Sequence, residues 1–204
     1  MADDREAIMS KVRGALAQLK KRAPLPDYDA RIELARSRTG AGDPIAEFTE
    51  RLRAVNGEVA AGPDALAATL RNRGWTRGYC DPGLWPRLAP HFGPDFTVET
   101  QFDRSRMDDY QFGITRGAGA IAETGTIILN DATTSSRLGA LAPWVHVAVI
   151  ARGSLYPDLP AAIAALGQDP NVVWCTGPSK TADVEGIMIE GVHGPGVQVA
   201  LFVD

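Results

Sequence analysis

Apolar residues at Ile8, Val12, Ala15, Leu16 and Leu19 fall on one face of a 3.6-residue repeat and predict an amphipathic helix over residues 3–21. Pro24 and Pro26, which fit no helix interior, stop it. Residues 27–43 are charged, hold little apolar content and read as an extended connector. A second helix opens at Asp43-Pro44, an N-cap followed by a first-turn proline, carries Ile45, Phe48, Leu52 and Val55 as its apolar stripe, and ends at Asn56-Gly57. A short strand at 58–61, a helix from Gly62-Pro63-Asp64 to about residue 73, a strand holding Tyr79 and Cys80, and a short helix from Asp81-Pro82 to about residue 88 follow. Further on, residues 97–99 read as a strand, 104–111 as a helix and 112–115 as an extended piece.

The pattern then becomes denser. Residues 119–123 lead into a turn at Thr124-Gly125, and 126–129 form a buried strand. Residues 145–150 are a mostly apolar, β-branched strand, 159–166 a helix, 172–175 a strand and 197–203 the last strand. Strands alternating with helices predict an α/β fold with a three-layer, mainly parallel sheet. Residues 43–204 read as that domain. Residues 1–42 read as a helical arm and connector that packs on the body or on a second subunit of a homo-oligomer.

Composition changes this picture little, but it excludes several classes. The net charge of −4 argues against a nucleic-acid binder, and the local basic residues Lys11, Arg13, Lys20, Lys21 and Arg22 read as a solvated helix face. Two cysteines, Cys80 and Cys175, without metal-ligand spacing, fall short of the roughly four thiolates of an iron–sulfur cluster, so no such cluster resides in this chain alone. No metal-ligand trio is present, and no redox-cofactor signature points to a cofactor. No apolar run reaches the ~18 residues of a membrane span, and the polar, acidic start is unlike a secretory signal, so a reduced cytoplasmic protein is expected.

Candidate chemistry gathers in two glycine-rich segments. In residues 114–126, small residues allow close backbone approach, Thr115, Thr124 and Thr126 add hydroxyls beside Gly125, and Glu123 places a charge where an apolar strand pair meets a tight turn. The Gly117-x-Gly119 spacing does not meet the dinucleotide fingerprint. In residues 176–185, a strand followed by Gly177-Pro178-Ser179 and a one-turn helix would make an anion cradle, with Lys180 supplying charge and Thr181, Asp183 and Glu185 close by. Glycines flank His193, whose neutral imidazole suits acid–base work beside Gly194. His146, inside an apolar strand pattern, reads as a buried, hydrogen-bonded core residue.

Residues 120–127 (AIAETGTI), Arg137-Leu138 with Leu141-x-Pro143-x-x-His146-Val147, residues 177–185 (GPSKTADVE) and residues 191–195 (GVHGP) together resemble the lactate-utilisation protein C family, the LUD domain. The resemblance covers about the C-terminal half. It implies a NagB/RpiA/CoA-transferase-like fold and a role beside iron–sulfur partner proteins in oxidising L-lactate to pyruvate. It also implies that Glu123, Thr124, Gly125, Thr126, Ser179, Lys180, Thr181, Asp183, Glu185 and His193 line one cleft that takes a small anionic ligand. Two alternatives stay open: a CoA-transferase-like enzyme with Glu123 as nucleophile, and a purely structural assembly subunit.

Overall fold

The computed structural model describes residues 2–19, 42–167, 171–182 and 187–204. The chain divides into two units, Met1–Ala35 and Arg36–Asp204. Helix α1 (Ala2–Ala17) belongs to the first. It ends before the prolines predicted to stop it, and Ile8 and Val12 on its apolar stripe are exposed. Most of the predicted connector lies outside the described residues.

The second unit is built on six parallel strands: β1 (Glu58–Ala60), β2 (Arg77–Cys80), β3 (Thr97–Glu99), β4 (Phe112–Arg116), β7 (Val145–Ala151) and β12 (Val197–Val203). Their order across the sheet is β1-β12-β7-β4-β2-β3. Strands covered on both faces need apolar residues at successive positions, and β7 (VHVAVIA) and β12 (VQVALFV) show it. Their polar interruptions, His146 and Gln198, stand opposite each other in register. One face of the sheet packs Phe112, Ile114, Val147 and Leu201 against helices α3 (Pro63–Asn72) and α4 (Trp85–Leu88) through Leu66, Leu70 and Leu88. The other packs Ala148, Ile150 and Ala200 against Phe48 and Leu52 of α2 (Pro44–Ala54) and Ala140 of α5 (Arg137–Leu141).

That second core also holds an element the sequence patterning did not separate: a four-stranded sheet of order β8-β5-β6-β9, made of β5 (Gly119–Ile121), β6 (Thr126–Asn130), β8 (Leu155–Tyr156) and β9 (Val172–Cys175). Ala120, Ile127 and Leu129 face the main sheet, while Ile121 and Ile128 face Ala162 of α6 (Leu159–Leu166). β6 is antiparallel to both β5 and β9. A small antiparallel pair, β10 (Lys180–Ala182) with β11 (Met188–Glu190), completes the fold.

Three local readings change. Residues 104–111 form only a 3-10 segment, Arg104–Asp109, interrupted at Arg106, whose guanidinium is drawn to Glu99 and Asp109. The helix read from Asp81 begins at Trp85, because Asp81 Oδ1 takes the Gly83 N–H at 2.7 Å and holds a turn there. The one-turn helix expected after Gly177-Pro178-Ser179 is strand β10, its backbone committed to β11 rather than turned towards a ligand.

Candidate functional site

The two glycine-rich segments adjoin at one end of the four-stranded sheet. Ile127 of β6 stands opposite Cys175 of β9, which brings the turn before β6 beside the loop after β9. A hydroxyl chain joins them: Thr124 Oγ1 lies 2.7 Å from Thr126 Oγ1, itself 2.8 Å from Thr176 Oγ1. Gly125 (φ +67°) and Gly177 (φ +79°) take left-handed backbone that any side chain would strain. Both also press on the last turns of α2, where a Cβ on Gly125 would clash with Leu52 N and one on Gly177 would meet the Val55 carbonyl at 2.5 Å. Lys180 donates from Nζ to the same Val55 carbonyl at 2.9 Å and lies 3.4 Å from Glu190 Oε1. Its charge thus sits at the carbonyl end of α2, where cations are favoured. Asn56 Nδ2 donates to Glu190 at 2.8 Å and, ahead of Lys180, holds the Glu190 carboxyl below its ordinary range.

Two clefts open beside this junction, and Trp174 lines both. The first, about 370 Å³, is walled by Ile121, Leu159, Ile163 and Trp174, with Glu123, Thr124 and Thr126 among its lining residues. Glu123 Oε1 accepts the Leu159 N–H at 3.1 Å, and Asp158 Oδ1 accepts that of Ala161 at 2.8 Å, so two carboxylates cap the start of α6. The second cleft, about 230 Å³, is lined by Gly177, Ser179, His193, Gly194, Cys175 and Gln198 among others. A backbone ladder shapes it: Ser179 N donates to Pro195 O and Gly191 N to Ser179 O, each at 2.9 Å. Gly194 leaves room for the Ser179 hydroxymethyl group, which a Cβ there would meet at 3.1 Å. Thr181 stands on β10 opposite Ile189. Asp183 and Glu185 lie outside the described residues.

Thr115, expected among the ligand-binding hydroxyls, is buried in the main sheet. Its Oγ1 lies 2.8 Å from His146 Nε2, while His146 Nδ1 lies 2.9 Å from Gln198 Nε2. A buried polar line thus runs from Thr115 through His146 to Gln198 in the wall of the second cleft. Complete burial pushes the His146 pKa down to about 4, opposed only by its bond to Gln198, so the ring is neutral at pH 7. Burial likewise pushes the Cys175 thiol up to about 11, so this cleft offers hydroxyl, imidazole and amide donors rather than a thiolate. Cys80, pushed up to about 12, lies in the separate core on the other face of the main sheet.

Trp174 and Gln198 were not among the sequence candidates. The signal for Trp174 was its place in a four-residue strand: its neighbours Val173 and Cys175 pack on the core, so the indole between them turns to the other face, where it is exposed. Gln198 is the single polar residue within an otherwise apolar final strand. The loop after residue 175, expected as an anion cradle following a strand, follows a strand of the second, mixed sheet and adjoins the start of β12.

The LUD domain family matches residues 88–203, more than half of the chain. The chain belongs to the LUD domain family. A relative from Deinococcus radiodurans named lactate utilization protein C is 27% identical over 95% of this chain and 92% of its own length. Proteins of the same name from Bacillus licheniformis and a Geobacillus species are 31% and 28% identical, over 44% and 64% of this chain. The matches span 41% and 53% of those two relatives, about half their length. The crystal structure of a DUF162 family protein from Deinococcus radiodurans superposes with a TM-score of 0.56 at 24% identity, covering 78% of this chain and 96% of that one, and so supports the LUD fold. No helix among the described residues is long and apolar enough to cross a membrane.

Proposed function

We propose that this LUD domain protein serves lactate utilisation as a subunit that binds a small hydroxy or keto acid and works beside iron–sulfur proteins. The observation that carries this reading is its relation, along 95% of the chain, to a lactate utilization protein C. The second cleft suits the chemistry. A 2-hydroxy acid presents a carboxylate and a hydroxyl, and Ser179, His193 and the Gln198 amide line one small cavity that can donate to both. Lys180 is held by Val55 O and Glu190, so neutral donors carry the recognition. Oxidation of L-lactate to pyruvate releases two electrons and two protons, and the proposal assigns the electrons to the partner proteins.

Calorimetric titration of the full chain with L-lactate, pyruvate and acetate tests the binding reading. L-lactate or pyruvate should bind more tightly than acetate, and Ser179→Ala and His193→Ala should each weaken binding by about tenfold. Equal affinity for acetate, or variants that bind like the parent protein, would exclude the cleft. Loss of growth on L-lactate after gene deletion tests the role itself.

A second reading, acyl transfer with Glu123 as nucleophile, draws on the apolar cleft beside that carboxylate. Glu123→Gln retains an acceptor for the Leu159 N–H, whereas Glu123→Ala removes it and should cost about 1 kcal/mol in denaturant unfolding. A folded Glu123→Gln variant that still exchanges thioesters as the parent does would exclude the nucleophile.

A further inference from the structure

The main sheet has a point at which its winding reverses. From β2 the chain moves outward to β3, then crosses back to the other side of β2 and builds β4, β7 and β12 in turn. In open parallel sheets the segments leaving the two strands at such a point diverge and leave a crevice at their carboxyl ends. The reversal here lies between β2 and β4. The residues leaving those strands are Asp81-Pro82-Gly83 and Gly117-Ala118, the second group directly after Arg116 at the end of β4.

A cleft of about 290 Å³ occupies that position, lined by Gly83, Arg87, Arg116, Gly117 and Thr133 among others. Leu84, Arg87, Val149 and Val203 continue from it into an adjoining slot of about 130 Å³ that is otherwise closed by Pro63, Leu88 and His91. Two arginines therefore line one cleft, the Arg116 guanidinium lying beside Gly83. Six other arginines of this unit (Arg71, Arg73, Arg77, Arg106, Arg137 and Arg152) are each paired with a carboxylate. Among the described residues, Arg87 and Arg116 have no such pairing, nor do Arg51, Arg53 and Arg104, but of these five only Arg87 and Arg116 line this cleft. Asp81 is buried and spends Oδ1 on the Gly83 N–H at 2.7 Å. Asp204 also lines the cleft, with Oδ1 3.0 Å from Arg152 Nε. Gly83 makes room for the arginine, since a Cβ there would lie 2.9 Å from Arg116 Nη2 and 3.1 Å from Asp81 Oδ1. The Arg116 backbone is anchored by the Thr134 hydroxyl, which donates to its carbonyl at 3.0 Å.

We propose that this cleft is a second ligand site, distinct from the one beside Ser179 and His193, and that it binds the phosphoryl head of an organic phosphate. Planar guanidinium forks match phosphoryl oxygens two at a time, and two of them neutralise a dianion better than a monocarboxylate. The adjoining slot, with four aliphatic residues and a proline, takes the organic body. The site adjoins the carboxyl ends of β4, β7 and β12, whereas the Ser179 cleft adjoins the start of β12, so the two are separable by mutation.

The test is calorimetric titration of the full chain with inorganic pyrophosphate, with ADP and with L-lactate at low ionic strength. Pyrophosphate and ADP should bind, with ADP the tighter, and Arg87→Gln and Arg116→Gln should each lower the affinity by about tenfold or more. Arg53→Gln, an exposed arginine on α2, serves as the control and should leave binding unchanged. Gly83→Ala keeps the fold's charges and sets a methyl group against the Arg116 guanidinium, so a folded variant with weakened binding supports the site by a route that removes no arginine. Absence of binding by both phosphoryl probes, or arginine variants that bind as the parent does, would overturn the proposal. Binding of pyrophosphate with ADP no tighter would overturn the organic slot. Loss of L-lactate binding in Ser179→Ala with pyrophosphate binding intact keeps this result independent of the function proposed above.

Discussion

At the scale of single residues, the most consequential group is His146, because its buried neutral ring makes stability depend on pH. The folded pKa of about 4 lies below the ordinary 6.5, so between those values the unfolded chain binds a proton that the native chain refuses. Stability should therefore be full above about pH 6.5 and fall as the pH drops towards 4. The loss should be about 2 kcal/mol between pH 7 and pH 5, read from denaturant unfolding. His146→Gln should flatten that dependence in the same pH window. An unchanged slope would mean that the ring is not the group responsible. The sequence made the burial of His146 legible, since a histidine between Val145 and Val147 in a β-branched run has no wet face. Its partners were not legible, because Thr115 and Gln198 come from strands 31 and 52 positions away. Glu123 and Lys180 were legible as charges in unusual places. Their actual neighbours, the start of α6 and the end of α2, depend on which elements the fold brings alongside.

At the scale of elements, α2 is held as a unit by the two glycine segments. Gly125 and Gly177 let backbone approach its last turns, and Lys180 meets its terminal carbonyl. Gly177→Ala would force a side chain into left-handed backbone and against Val55 O, and should cost about 2 kcal/mol or more. Lys180→Met should cost about 1 kcal/mol by removing the helix-end contact. Hydrogen exchange should locate both losses in α2 rather than in the main sheet; protection lost evenly across the chain would refute the clamp. Element boundaries were largely readable where caps and periodicity were strong: Asp43 caps α2, residues 159–166 form α6 and residues 172–175 form β9 as patterned. Pairing was less readable. The apolar runs of β6 and β9 resemble those of a parallel core strand, and β6 is buried on both faces, yet each pairs antiparallel in a second sheet. That change of sheet places the loop after residue 175 away from the carboxyl edge of the main sheet. It left Arg116, which stood within the first glycine-rich segment, without an assigned role.

At the scale of the whole molecule, the two sheets share one core, and the order of the chain explains how. The second sheet and α6 are built from the crossovers that connect β4 to β7 and β7 to β12, so they cover one face of the main sheet while α3 and α4 cover the other. All three hydrophobic clusters draw their buried residues from Phe48 onward, the earliest being Phe48 itself and the latest Phe202. The buried residues of these clusters thus all lie in the second unit, and each fully buried Leu, Ile or Phe among them contributes roughly 1.5–3 kcal/mol of favourable transfer. From this follows the expectation for a truncated protein. Removing residues 1–26 deletes α1, whose Ile8 and Val12 are exposed, and takes no residue from any of these clusters. The shortened chain should unfold in a single cooperative transition in urea with the slope of the parent reduced only in proportion to its length. Its pyrophosphate and L-lactate affinities should match those of the full chain, since every residue of the two clefts lies beyond position 60. A broad or multiphasic transition would instead assign α1 a structural share of the body, because a slope that falls out of proportion to chain length reports a native state that has already lost buried surface.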